Sequence, residues 1–147
     1  MNEWQQSLLT LLGSLRALKW ISWNSHWQVK GGPFYGDHLM LEQIYEGKLD
    51  EQIDTLAEKI VCLFGSEIID SPILLQSFTS SIESCKSIGS CPIRRTLRCL
   101  QLLQGKLNQT YSIGSSSKQI TLGMDDYLMA TANEQETFIY LLQQKLR

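Results

Sequence analysis

The sequence has few of the features that mark exported, membrane-spanning or nucleic-acid-binding proteins. No apolar run reaches the about 18 residues that a membrane span requires. The amino terminus carries Glu3, Gln5 and Gln6 where an export signal would have a positive charge followed by an apolar segment. With 13 basic and 15 acidic residues the formal charge is -2, which gives no general attraction for nucleic acids or acidic membranes. We therefore expect a soluble, cytoplasmic protein.

Cysteine pairs with the spacing of metal or redox motifs are also missing. The chain has four irregularly spaced cysteines and no C-x-x-C pair, so neither a zinc knuckle nor a thioredoxin-type site is indicated. Free and mostly buried thiols are the general expectation in a reducing compartment. A disulfide between Cys85 and Cys91 stays open from the sequence.

Apolar residues recur at steps of three and four along four long segments, which is typical of amphipathic helices. The length of 147 residues suits a single domain spanning residues 1–147. The predicted helices run from a cap at Asn2 to about Trp27, from around Tyr35 to Asp37 until just before Gly65, from Ser90-Cys91-Pro92 through Tyr111 with a break at 114–117, and from about Thr121 to Leu146.

The connection between the second and third helices is about 25 residues long, which exceeds the length of a hairpin loop. Within it, Asp70-Ser71-Pro72 predicts the start of a short helix near residues 72–78, and Thr79-Ser80-Ser81 predicts a loop. Such a connection is expected to cross the length of a bundle. The sequence therefore predicts an all-α, ferritin-like four-helix bundle whose long crossover carries a short extra helix.

The chain has two histidines, His26 at the end of the first helix and His38 at the start of the second. A pair of this kind, taken alone, is more often structural or solvent-exposed than metal-binding. Glu42, however, follows His38 by four residues and so lies on the same helical face. An imidazole and a carboxylate placed in this way can share one cation.

Asp54 and Glu58 form a second pair four residues apart, further along the same helix. Together with the two imidazoles and Glu42, they make a ligand set that suits iron, because carboxylates favour the ferric ion and imidazole holds the ferrous ion. The alternative is a solvated acidic face, since the helix carries further acidic residues: Glu46, Asp50 and Glu51.

Two segments resemble those of the Dps family, the miniferritins. The run from His26 to Gly31, followed by His38, is similar to the family's H-W-x-x-x-G segment and second histidine. The run Asp54-Thr55-Leu56-Ala57-Glu58-Lys59 is similar to its D-x-x-A-E-R segment, with lysine in place of arginine. The resemblance extends weakly over most of the chain and is sharp over residues 25–60.

The resemblance implies a miniferritin that oxidises ferrous iron with peroxide or oxygen, stores ferric mineral inside a dodecameric shell and protects against oxidative stress. Each ferroxidase site would lie between two-fold-related subunits. By position, one subunit would supply the metal and catalytic ligands His26, His38 and Glu42, and its neighbour would supply Asp54 and Glu58. The family usually has aspartate where this chain has Glu42.

The spacing between Glu42 and Asp54 is one residue longer than in the family pattern. On a regular helix one inserted residue rotates everything beyond it by about 100°. We expect the helix to absorb this residue as a π-bulge close to Gly47. If it does not, Asp54 and Glu58 miss the site, and the alternative is a structural helical-bundle shell without ferroxidase activity. A third interpretation is a monomeric helical binding module.

Two further expectations concern ions and DNA. Asp125 and Asp126, near the start of the fourth helix, either line an ion-entry pore or complement the helix dipole, which is the more general role. The sequence begins almost directly at the first helix, without a lysine-rich tail. Because phosphate contacts dominate affinity for nucleic acid, we do not expect tight DNA binding.

Overall fold

The computed structural model describes residues 1–86 and 91–147, and those residues form helices and turns without a β-strand. The bundle has four long members: α1, then α2 and α3 taken together, then α5, and then α6. Helix α4 lies on the crossover between α3 and α5. This arrangement confirms the predicted all-α bundle. The helices are α1 (Glu3–Gln28), α2 (Phe34–Glu46), α3 (Leu49–Phe64), α4 (Ser71–Cys85), α5 (Pro92–Ser116) and α6 (Leu122–Lys145), with a short 3-10 helix at Ser66–Ile68.

The first and last helices begin where the sequence predicts, because each has a side-chain cap. The Asn2 side chain accepts a hydrogen bond from the backbone N–H of Gln5 at 2.9 Å, and the Gln5 side chain accepts one from the Asn2 N–H at 3.0 Å. In α6, the hydroxyl of Thr121 accepts from the N–H of Met124 at 3.1 Å. These bonds satisfy backbone donors that have no partner within the first helical turn.

Helix α1 is the central member of the core and contacts α2, α3, α4 and α5. Its leucines at positions 8, 11, 15 and 18 are fully buried, as are Leu100 and Leu103 of α5. Burying a leucine side chain contributes about 1.5–3 kcal/mol. This core fixes both ends of α1, and therefore the position of His26 in its last turn.

The second predicted helix is broken in the structure. Helix α2 ends at Glu46 and α3 begins at Leu49, and Gly47 between them has φ -72° and ψ -117°. A β-carbon at position 47 would lie 2.6 Å from the carbonyl oxygen of Gln43. The prediction of one continuous helix with a π-bulge is therefore wrong, since the chain accommodates the extra residue by a turn at Gly47 and Lys48.

Helix α4 is longer than predicted. It continues to Cys85 through residues 79–81, where the sequence predicts a loop. The Ser77 hydroxyl donates to the carbonyl oxygen of Thr10 at 2.8 Å, and the hydroxyls of Ser14 and Ser81 are 3.0 Å apart. These contacts with α1 use the serine hydroxyls without breaking the helix, so tertiary packing overrides the local preference of serine for loops.

Helix α5 starts at Pro92, with Cys91 in the N-cap position and no side-chain capping bond. Ser90, which the sequence analysis groups with this cap, lies outside the described residues. The helix also extends beyond Tyr111 to Ser116. Gly114 lies within this helix, and its lack of a side chain leaves room for the Trp4 indole, which a β-carbon would approach to 2.7 Å. Within the described residues, none of the helices is long and apolar enough to cross a membrane.

Candidate metal centre

The two histidines lie against each other. His26 is buried in the last turn of α1, and His38 is half-buried near the start of α2. Their ring centroids are 3.7 Å apart and the ring planes differ by 29°. The turn between α1 and α2 brings them together, and Gly31 in this turn has φ +83°, a left-handed conformation that favours glycine. The structure thus places both sequence-predicted imidazoles at one point of the fold.

A backbone contact sets the tautomer of His38. Its Nδ1 lies 3.2 Å from the carbonyl oxygen of His26. Because a carbonyl oxygen accepts hydrogen bonds and cannot donate, Nδ1 carries the proton. In the neutral ring, Nε2 then has a free lone pair, as a metal-binding imidazole requires. The ring of Phe34 packs on the same imidazole with its centroid 4.9 Å away, which further restricts its orientation.

Tyr45 of α2 is a further member of this site, and the sequence analysis does not identify it as one. Its hydroxyl lies 3.4 Å from both ring nitrogens of His26, and its ring packs edge-on against the imidazole at 5.1 Å. It also stacks on Trp23 at 5.5 Å. The signal in the sequence was its position seven residues after His38, which places both on one face of α2.

The charge state of His26 reflects opposing influences. Burial is the largest, and together with the neighbouring His38 it lowers the pKa of His26, while Glu42 and Glu46 act in the opposite direction. Burial also raises the pKa of Tyr45, with smaller contributions from Glu46 and Glu42. The tyrosine hydroxyl therefore keeps its proton. A neutral His26 ring is the form that can bind a metal.

Glu42 and Glu46 are thus close enough to His26 to influence its pKa. Glu42 is half-buried, and Glu46, one turn later, is exposed. Even so, no group of three or more histidine, cysteine, aspartate or glutamate side chains within residues 1–86 and 91–147 converges closely enough to hold a metal ion. One chain therefore provides a histidine pair with acidic neighbours, but not a complete metal site.

Asp54 and Glu58 lie on α3, beyond the break at Gly47, and both are exposed. They do not form a cluster with the histidines of the same chain. Their exposure leaves them accessible to a second molecule. Their assignment as ligands stays a prediction.

Apolar rings form an exposed surface next to the histidine pair. Trp23 lies 5.4 Å from Trp27, which is 59% exposed. Trp20 is also exposed and packs edge-on against Phe78 of α4 at 6.5 Å. The ion pair between Lys19 and Asp50 lies beside these rings. Contiguous apolar rings of this size at a surface, with charged groups around them, are typical of a protein contact.

Comparison with known proteins identifies the fold in which this site lies. The chain matches no protein-family model. Over 40 residues it is 52% identical to the DNA protection during starvation protein of Helicobacter pylori, and the match spans 27% of each chain. It therefore covers about a quarter of the length of that relative.

Solved structures match along almost the full length. The Dps protein of Vibrio cholerae superposes with a TM-score of 0.80 at 21% identity, over 99% of this chain and 89% of that one. Dps of Thermosynechococcus elongatus gives a TM-score of 0.82 at 19% identity, over 99% and 90%. This chain has the Dps fold. A Dps variant of Listeria innocua with two histidines replaced by glycine gives a TM-score of 0.80 at 16% identity, over 99% and 95%.

The Dps fold confirms the resemblance first found in residues 25–60, and it includes the crossover helix α4. The Vibrio protein is described as a member of a superfamily of ferritin-like diiron-carboxylate proteins.

Asp125 of this chain lies in the first turn of α6, where a carboxylate complements the helix dipole. A pore lined by Asp125 and Asp126 stays a prediction.

Proposed function

We propose that this chain is a miniferritin that oxidises ferrous iron at sites shared between two subunits and stores the ferric product inside a dodecameric shell. The observation that carries the proposal is the stacked pair His26 and His38 beside Glu42. One chain holds part of an iron ligand set, and it also exposes the carboxylates Asp54 and Glu58, which would complete the set on a partner.

Iron is the substrate in this proposal. The imidazoles bind the ferrous ion, and the carboxylates stabilise the higher charge of the ferric ion. Each ferrous ion loses one electron, so two ions and two protons reduce one molecule of peroxide to two molecules of water. Tyr45 orients His26 through its hydroxyl, and the carbonyl oxygen of residue 26 orients His38. Oxygen is the alternative oxidant.

The exposed rings of Trp20, Trp23 and Trp27 are the surface on which a second copy is expected to dock. They adjoin the histidine pair through the stack of Trp23 on Tyr45. In a two-fold dimer the same surface is used twice. Each dimer would then contain two equivalent sites, with the histidines of one subunit facing the α3 carboxylates of the other.

The break at Gly47 supports a second candidate, a structural shell without ferroxidase activity. It interrupts the helix between Glu42 and Asp54, so the direction of α3 is set separately from that of α2. If this direction carries Asp54 and Glu58 away from the partner's histidines, the shell still assembles but the iron site is not completed.

Tight DNA binding is not part of the proposed function. The Helicobacter relative is named for DNA protection. This chain has a formal charge of -2, and affinity for DNA depends mainly on cationic contacts with phosphate. We expect the protein to act in the cytoplasm, as its composition suggests.

The test is the rate of ferrous oxidation in the double variant His26→Ala/His38→Ala. Loss of both imidazoles should abolish the fast stopped-flow oxidation of ferrous iron by peroxide, because loss of a group that only orients a metal ligand already costs about 10- to 100-fold. Gel filtration with light scattering checks that the assembly is unchanged. Glu83→Gln serves as the control, because Glu83 is an exposed carboxylate on α4. An unchanged rate in an intact double-variant shell would reject the site and favour the structural shell.

A further inference from the structure

A cavity of about 400 Å³ lies between α1, α4 and α5. Serine hydroxyls line one side of it, and the thiols of Cys85 and Cys99 lie on another. A cavity with these walls suits a small molecule that both donates and accepts hydrogen bonds.

The two thiols form a pair. Cys85 ends α4 and Cys99 lies within α5, and their side chains are hydrogen-bonded to each other. They are 1% and 3% exposed. All four cysteines of the chain are free thiols in the structure, and Cys85 and Cys91, the pair that the sequence leaves open, form no disulfide in it. The pair that the fold brings together is a different one.

The two members of this pair have different proton affinities. The hydrogen bond from Cys99 is the largest cause that lowers the pKa of the Cys85 thiol, and Arg98 and Arg95 lower it further against the effect of burial. The same bond and burial raise the pKa of Cys99. Of the two thiols, Cys85 is therefore the better placed to attack first, and Cys99 the better placed to react in the second step.

We propose that Cys85 and Cys99 form a peroxide-reactive dithiol that is oxidised to a disulfide within this cavity. The sulfur of Cys85 attacks one oxygen of hydrogen peroxide, the O–O bond breaks, and the products are a sulfenic acid and one water molecule. The sulfur of Cys99 then attacks the sulfur of Cys85, the S–O bond breaks, and a second water molecule leaves. Two thiols and one peroxide thus give one disulfide and two waters.

This reaction needs no metal and no second subunit, which separates it from iron oxidation. The test therefore uses the full-length protein freed of iron with a chelator and treated with equimolar hydrogen peroxide. Free thiols are alkylated, and disulfides are mapped by mass spectrometry of peptides. We expect one dominant linkage, between Cys85 and Cys99.

Variants assign the order of the two steps. Cys85→Ser should slow peroxide consumption by more than about tenfold. Cys99→Ser should stop the reaction at a sulfenic acid on Cys85, which dimedone traps. Cys62→Ser is the matched control, because Cys62 is an exposed thiol on α3, and it should retain both the rate and the linkage.

Three results would overturn the proposal. The first is oxidation of Cys62 before the buried pair, and the second is a dominant linkage that involves Cys91. The third is a Cys99→Ser protein in which dimedone does not label Cys85. Because the disulfide map is obtained on the unmodified chain, it decides the proposal even if a variant fails to fold.

Discussion

The thiol cavity and the histidine site of this bundle differ in one respect. A single chain contains the whole of the first but only part of the second. The cavity with Cys85 and Cys99 is lined by residues of α1, α4 and α5 of a single chain. The buried His26 and the half-buried His38 lie beside exposed tryptophans, and their expected carboxylate partners are elsewhere on the chain. A single chain should therefore suffice for thiol chemistry, while iron chemistry should depend on assembly.

The largest expected effect comes from mixing two inactive variants. His26→Ala/His38→Ala subunits have lost the imidazoles, and Asp54→Asn/Glu58→Gln subunits have lost the α3 carboxylates. Each alone should oxidise iron at least about 10- to 100-fold more slowly than the native chain. In a mixed dimer, one site combines the intact histidines of one subunit with the intact carboxylates of the other.

Random reassembly of equal amounts should therefore restore about one quarter of the native rate, because half of the dimers are mixed and each has one intact site of two. Stopped-flow oxidation before and after dissociation and reassembly measures this recovery. Native protein taken through the same treatment is the control. No recovery in properly reassembled shells would mean that the ligands do not meet across a two-fold axis.

A smaller effect is expected from Gly47→Ala, which alters the histidine end and leaves the cavity intact. The new β-carbon would lie 2.6 Å from the carbonyl oxygen of Gln43. We expect a loss of about 1–3 kcal/mol in the free energy of unfolding, measured with urea, together with slower iron oxidation. The thiol reaction with peroxide should be unchanged.

Gly105→Ala is the matched control, since a β-carbon there meets nothing within 4 Å in the middle of α5. It should stabilise the protein by up to about 1 kcal/mol. If Gly47→Ala behaves in the same way, the turn at Gly47 does not require glycine, and the account of the helix break is wrong.

The smallest effect is expected from Tyr45→Phe, which removes one hydroxyl next to His26. The contact of 3.4 Å is long for a hydrogen bond, so the rate of iron oxidation should fall by about tenfold or less. Tyr140→Phe, at an exposed tyrosine of α6, is the control and should leave the rate unchanged. A rate equal to that of the native protein would show that the hydroxyl does not orient the imidazole.

Much of the fold follows from local signals in the sequence. The caps at Asn2 and Thr121 lie where their side-chain chemistry predicts, and Phe64 ends α3 just before Gly65. The long connection correctly predicts a crossover. Local signals fail at residues 79–81, which read as a loop because serine and threonine favour loops, although contacts with α1 keep them helical.

The candidate site was predicted only in part, because local signals reach only residues that are close in the sequence. Periodicity on one helix face pairs His38 with Glu42, and the fold brings His26 against His38. Tyr45 was missed as a site residue because a tyrosine at a helical step of seven reads equally well as core. The roles of Asp54 and Glu58 depend on a partner chain, so they stay predictions.

The sequence by itself determined the four long members of the bundle, most of their ends and the positions of the two histidines near helix ends, because caps, glycines and apolar spacing act over a few residues. Only the tertiary structure decided the break at Gly47, the length of α4, the contact of Tyr45 with His26 and the pairing of Cys85 with Cys99. Each of these depends on groups that are distant in the sequence or on the exact backbone path. Packing, and not local preference, brings such groups within a few ångströms.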